Sequence, residues 1–168
     1  VSVIPLEGLP ELEPSDDLAL LLYGAAASAG GLEAGDVVVV AQKAVSKVEG
    51  RVVALAEIEP SERAVELAGP EGDPRHLEVI LRESAEIVRS RPPLVIAETR
   101  HGFVCASAGV DASNTPADGL LVLLPVDPDA SACRLRERLV HLAGVDVGVI
   151  VSDSFGRAWR QGTTDVAL

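Results

Sequence analysis

Apolar positions along this chain follow two rhythms. Leu18, Leu21, Leu22 and Ala25 recur at the three-and-four spacing of a helix. Ser15 stands before them as an N-cap, Asp16 and Asp17 favour the first turn, and Gly30-Gly31 closes the element. Val37 to Val40 is instead a continuous β-branched run, the pattern of a strand buried on both faces. Polar Gln42, Lys43, Ser46 and Lys47 come directly after it, and Val52 to Leu55 reads as a short second strand. Ser61 caps a short helix ending at Gly69, and Asp73-Pro74 opens another. That helix carries Leu77, Ile80, Leu81, Ile87 and Val88 and runs to Pro92-Pro93. "LVIAETR" and "GFVCASA" form a hairpin, and the loop "GVDASNTPADG" leads to the strand "LLVLLPV". A helix from about Ala130 to Leu142 and a strand "VGVIVSD" follow, while Val1 to Pro14 reads as a short strand and then a turn-rich segment.

Mixed helices and strands without repeat or linker predict an α/β (α+β) fold, a mixed sheet with covering helices, in one domain over 1–168. Hydrophobic residues make up 48% of the chain and aromatics only 2%, so the core is aliphatic. A net charge of -12 repels a nucleic-acid backbone and excludes general DNA or RNA binding. It leaves room for a phosphorylated small ligand held by a local cationic cluster or a bridging metal. Cys105 and Cys133 lack metal-ligand or redox spacing and read as buried, reduced thiols. With no leader pattern and no apolar run near the ~20 residues that cross a bilayer, the expectation is a soluble cytoplasmic protein.

Three polar clusters follow buried strands, the place where α/β sheets collect ligands. Lys43 and Lys47, four apart on one helical face, either clamp a phosphate between them or stand solvated. In "GVDASN", Asp111 and Asn114 either form an ordinary turn or offer a carboxylate to a hard cation and an amide to a ligand. Asp153-Ser154 is either a helix cap or an oxygen-ligand pair for Mg²⁺ or Mn²⁺, and Arg157 and Arg160 beside it favour a site where negative charge is handled. Trp159 reads as packing, and His76, His101 and His141 are scattered without metal-ligand spacing. A phosphate-binding P-loop, a dinucleotide glycine motif and a G-x-S-x-G elbow are all absent.

Taken together, "GDVVVVAQKAVSKVEGR", "ILRES", "HGFVCASAGVDASN", "LLPVDPDASA" and "VSDSFGRAWRQGTTDVAL" resemble the coenzyme F420-0:L-glutamate ligase family, in order and from about Leu6 to Leu168. The resemblance implies a non-P-loop ligase fold and an intertwined homodimer. It implies a GTP-consuming enzyme that joins L-glutamate to F420-0 and then adds further γ-linked glutamates, with Mg²⁺ or Mn²⁺ required and K⁺ assisting. By motif, Asp111, Asp153 and Ser154 are the expected metal ligands. Leu9, Pro10, Glu11 and Leu12, with Gln42, Lys47 and Asn114, are the expected GTP contacts, and Arg157 and Arg160 are assigned to substrate or phosphate beside catalytic Asp153. It further implies that the family domain continues beyond "TDVAL", so this chain reads as its N-terminal and central part. Two other readings stand beside this one: a related metal-dependent amide ligase with another acyl substrate, and a non-catalytic nucleotide- or metal-binding or dimerisation module.

Overall fold

Helices and strands alternate in the order α1 (Leu18–Ser28), β1 (Val37–Ala41), α2 (Gln42–Val48), β2 (Val52–Ala54), α3 (Glu62–Ala68), α4 (Pro74–Glu83), β3 (Ser84–Arg91), β4 (Leu94–Thr99), β5 (Val104–Ala106), β6 (Leu120–Val122), α5 (Pro128–Ala143), β7 (Gly148–Gly156) and β8 (Thr163–Ala167). The structure, a computed structural model, describes residues 1–113, 115, 117–156 and 162–168. The fold is mixed α and β, and its strands form three sheets, β1-β7-β8, β2-β6 and β3-β4-β5. Two units divide the chain: Val1–Arg51 with Pro125–Asp153 and Asp165–Leu168, and Val52–Leu124 with Ser154–Thr164.

In the first unit β1 pairs parallel with β7, from Val37 opposite Gly148 to Ala41 opposite Ser152. The core gathers Leu18 and Leu22 of α1, Val38 and Val40 of β1, Val45 of α2, Leu135 and Leu139 of α5, and Val151 of β7. It is aliphatic, as the composition requires. Asp17 caps α1 by accepting from the Leu20 N–H at 3.0 Å. Ser15 does not cap it, because its φ of 75° is left-handed and a cap needs extended backbone. The expected strand near the start is also absent: Val1–Glu13 holds no regular element. Nor is β1 buried on both faces. Val38 and Val40 are buried while Val37 and Val39 are 55% and 63% exposed, so within its unit the strand is covered on one side only.

The second unit is antiparallel throughout its sheets: β2 pairs with β6, and β3, β4 and β5 form a meander. Ser61 caps α3, Asp73 caps α4 with Pro74 at its first position, and Gly69 ends α3, all as the sequence predicts. One boundary differs. The helix opened by Asp73 stops at Glu83, where the Ser84 hydroxyl donates to the Ile80 carbonyl at 2.6 Å. Ile87 and Val88 then belong to β3, with Ile87 opposite Ala97. Sheet pairing overrides a helical spacing that a single Ser cannot reveal. The core of this unit joins Leu67, Leu77, Ile80, Val95, Ala108 and Leu121.

Candidate functional site

The parallel ladder of the first unit ends where polar chemistry begins. Ala41 and Ser152 are the last paired residues, so Gln42 follows directly on the carboxyl end of β1, and Asp153 is the first residue of β7 past the paired stretch. That end of a parallel pair is where ligands are held in α/β proteins. Gln42 is the first residue of the seven-residue helix α2 and is 1% exposed. Its Oε1 accepts from the Ser46 hydroxyl one turn later, at 2.8 Å. Its Nε2 is buried and has no protein partner. A buried amide donor left unpaired costs about 1–3 kcal/mol, so a group that accepts from it is strongly favoured there.

Lys47 is 9% exposed, which is rare for a lysine. Its ammonium donates to Glu11 Oε1 at 2.5 Å. Glu11 is carried there by a segment without regular structure, whose Leu9 and Leu12 pack against the core of the unit while Pro10 and Glu11 stay exposed. Leu9 and Pro10 also border an open cleft of about 300 Å³ against Leu21 and Gly24 of α1. Expected contacts Leu9 to Leu12 and Lys47 are thus brought together, and Gln42 sits on the same short helix. Lys43 is half-buried on α2, and of the two lysines read as either a phosphate clamp or solvated, Lys47 has its ammonium on Glu11.

Asp111 belongs to the second unit and is reached by an unusual turn. After β5 the backbone passes through Ser107, Ala108 and Gly109 at φ of 54°, 52° and 72°. Left-handed geometry costs a residue with a β-carbon about 1–2 kcal/mol, and it normally occurs singly. Asp111 then exchanges backbone hydrogen bonds with Val122 of β6, at 3.0 and 2.8 Å. Its Oδ1 accepts from the Ser113 N–H at 2.6 Å, an Asx turn. His76, set aside in the sequence as one of three scattered histidines, lies in the field of this carboxylate. Burial holds its pKa below the ordinary value, while the charges of Asp73 and Asp111 act the other way. Its Nε2 is buried without a partner. No spacing in "DPRHLEV" signals that proximity, which comes from the meander.

Asp153 is half-buried near the end of β7, in the first unit, and Ser154 opens the second unit's part of that strand. Successive strand residues point to opposite faces, so the two side chains diverge along the pleat. Phe155 follows and meets Phe103 edge to face, with ring centroids 5.6 Å apart. Asn114, Arg157 and Arg160 lie outside the described residues. Among the described residues no group of three His, Cys, Asp or Glu side chains gathers tightly enough to hold a metal ion. Taken singly, Asp111, Asp153 and Ser154 each offer the oxygen donor that a hard cation prefers, and Mg²⁺ usually takes only one or two carboxylates with substrate phosphates completing its shell.

A family model described as F420-0:Gamma-glutamyl ligase matches residues 8–168. The chain is 50% identical over 169 residues to the Coenzyme F420:L-glutamate ligase of Methanopyrus kandleri, covering 100% of this chain and 64% of that protein. It is 44% identical over 170 residues to the Coenzyme F420:L-glutamate ligase of Methanothermobacter thermautotrophicus, covering 100% and 67%. It is also 44% identical over 169 residues to that of Archaeoglobus fulgidus, covering 100% and 66%. The chain spans about two thirds of the length of these curated relatives.

Proposed function

The chain belongs to the F420-0:gamma-glutamyl ligase family, and on that premise we propose that it works in a GTP-dependent ligase that joins L-glutamate to coenzyme F420-0. Further γ-linked glutamates are added by the same chemistry. A carboxylate is a poor acceptor for an amine, so it must first gain a leaving group. The γ-phosphoryl group of GTP is transferred to a carboxylate oxygen of the acyl substrate, releasing GDP and forming an acyl phosphate. The glutamate amine then attacks the acyl carbon, the C–N bond forms, and phosphate leaves as the amine loses its proton.

Such a reaction asks the protein mostly for positioning and charge neutralisation. The observation that carries the proposal is on α2. Lys47, buried to 9% exposure, already holds an anionic oxygen, and the same helix turns a partnerless buried Gln42 amide toward no protein acceptor. A phosphate chain supplies what both groups take. The segment Leu9–Leu12 would lie along the nucleotide, with Asn114 as a further contact. Asp111, Asp153 and Ser154 would hold Mg²⁺ or Mn²⁺, which when bound neutralises phosphate charge. Arg157 and Arg160 are assigned to the substrate or phosphate side, K⁺ assists, and the working form is a homodimer.

The test uses this chain with GTP and Mn²⁺. At a hundredfold excess over Kd, ligand binding stabilises by about 2.7 kcal/mol, a Tm rise on the order of 5–10 °C for a chain of this size. Adding F420-0 and glutamate should then release GDP. A chain that neither shifts with GTP and Mn²⁺ nor forms GDP is not part of such a ligase.

A further inference from the structure

We infer that the left-handed turn Ser107–Gly109 is a positioning device for the Asp111 carboxylate, with Gly109 as its key residue; this rests on the reading of Asp111 as a metal-binding carboxylate. Three consecutive positive φ values, two of them on residues with a β-carbon, do not form in a free loop and persist only where the surroundings impose them. The surroundings here do so from several sides. Ala108 is 2% exposed and its methyl is part of the core of the second unit. Gly109 lies against Leu124, where an added Cβ would sit 2.8 Å from the Leu124 Cδ1 and Cγ atoms. The Val110 N–H closes the turn on the Ser107 carbonyl at 2.9 Å. Immediately afterwards Asp111 is fixed through its backbone to Val122 and through its Oδ1 to the Ser113 N–H.

A connection that only had to reach β6 has no need of left-handed β-carbons. This one commits the chain to a single exit direction, and the first side chain past the turn and outside the core is the Asp111 carboxylate, since Val110 is buried. Strained backbone concentrates where a group must be held in one orientation. The turn thus fixes where the carboxylate oxygens lie before any cation arrives.

The experiment is Mn²⁺ binding to the chain in the presence of GTP, followed by the EPR signal of free Mn²⁺, with thermal unfolding measured alongside. Gly109→Ala should weaken Mn²⁺ at least tenfold, and the double variant Gly109→Ala/Leu124→Ala, which removes the obstructing side chain but leaves a β-carbon at φ 72°, should recover part of that loss. Leu77→Ala, in the same core and away from the turn, should lower Tm without moving Mn²⁺ affinity. If Gly109→Ala does not fold, Ala108→Gly takes its place, with a severalfold loss of affinity expected. The inference is overturned if the folded turn variant binds Mn²⁺ like the parent chain, or if Leu77→Ala loses as much. Asp111→Asn separates the two layers: if it leaves Mn²⁺ affinity intact, the metal reading of Asp111 itself fails, whatever the turn variants do.

Discussion

The α2 region of the first unit and the Ser107–Asp111 region of the second solve one problem by opposite means. Each places charged residues just past a strand. The first does so with unstrained parts, a parallel ladder ending at Ala41 and Ser152 and a regular helix starting at Gln42. Its cost is carried by side chains: a Lys47 with little water and a Gln42 Nε2 without a partner. The second region keeps its visible side-chain bonds, and its cost lies in backbone at φ 54°, 52° and 72°. Side-chain cost is discharged when a ligand arrives, because a phosphate can satisfy an ammonium and an amide. Backbone strain is not discharged by a ligand and serves to hold geometry fixed beforehand. On the proposed function, the first region is therefore the one that binds and the second the one that aims.

The largest effect should come from the binding region. Lys47→Met removes the ammonium while keeping the volume of the stem. Loss of one preorganised cation on a transferring phosphate typically costs 10²–10³-fold, and a drop on the order of 10²–10³ is expected in GTP-dependent GDP release. Tm should hardly move, since the partner Glu11 is 64% exposed and such pairs contribute little. A large Tm loss with modest loss of turnover would make Lys47 a structural residue and end the contrast.

These two regions were not equally legible in the sequence. Gln42, Lys47 and the helix that carries them follow from a valine run succeeded by polar residues at helical spacing, and so do the caps at Ser61 and Asp73. What the spacing could not give is that Lys47 pairs with Glu11, thirty-six residues earlier, rather than facing an anion with Lys43. The left-handed turn was invisible for a different reason. "SAGVD" reads as small residues after a strand, and only contact with Leu124 and the core forces Ser and Ala to positive φ. The switch from α4 to β3 was lost in the same way: Ile87 and Val88 fit a helical face until β4 is there to pair with. Local pattern records propensity, and these features are tertiary. Motif resemblance went further, reaching the family itself, which periodicity alone does not identify.

Strain offers the next test, smaller in size. Ser107→Gly removes a left-handed penalty of about 1–2 kcal/mol and adds about 0.5–1 kcal/mol of chain entropy. A net gain of roughly 1 kcal/mol is expected, raising Tm by about 2–4 °C. The same change has no counterpart in α2, whose backbone is already relaxed. A destabilised Ser107→Gly would show that the hydroxyl, not the backbone, shapes this turn.

Acid separates the regions by direction. The His76 pKa is lowered chiefly by burial from an ordinary 6.5. A depressed histidine binds fewer protons folded than unfolded, so its contribution is fully present above pH 6.5 and is lost as pH falls from there through its lower folded value. In the first unit Asp17 is held low mainly by the Leu20 N–H, from an ordinary 3.8, so its contribution persists until pH falls into the carboxylate range. Denaturant unfolding between about pH 7.5 and 5.5 should show a loss that His76→Gln removes. A loss that survives the substitution belongs to other groups.

The smallest effect bears most directly on what the first region is. In this structure Glu11 gives Lys47 an anionic oxygen, and on the proposed function a phosphate would compete with that carboxylate for the ammonium. A half-exposed pair of this kind is worth about 0.2–1 kcal/mol, because water and salt screen the carboxylate even where the ammonium is enclosed. Glu11→Gln should therefore tighten GTP by only about 1.5- to 5-fold. It also leaves a lysine 9% exposed without a counter-ion, which lowers the stability of the ligand-free chain and pushes the effect toward the upper end. Titration calorimetry at two salt concentrations reads both terms, since the advantage of the variant should shrink as salt rises. If GTP instead weakens by an order of magnitude, the carboxylate is itself a nucleotide contact. The Leu9–Leu12 segment is then a preassembled wall of the site, and both regions of the molecule would be built to aim.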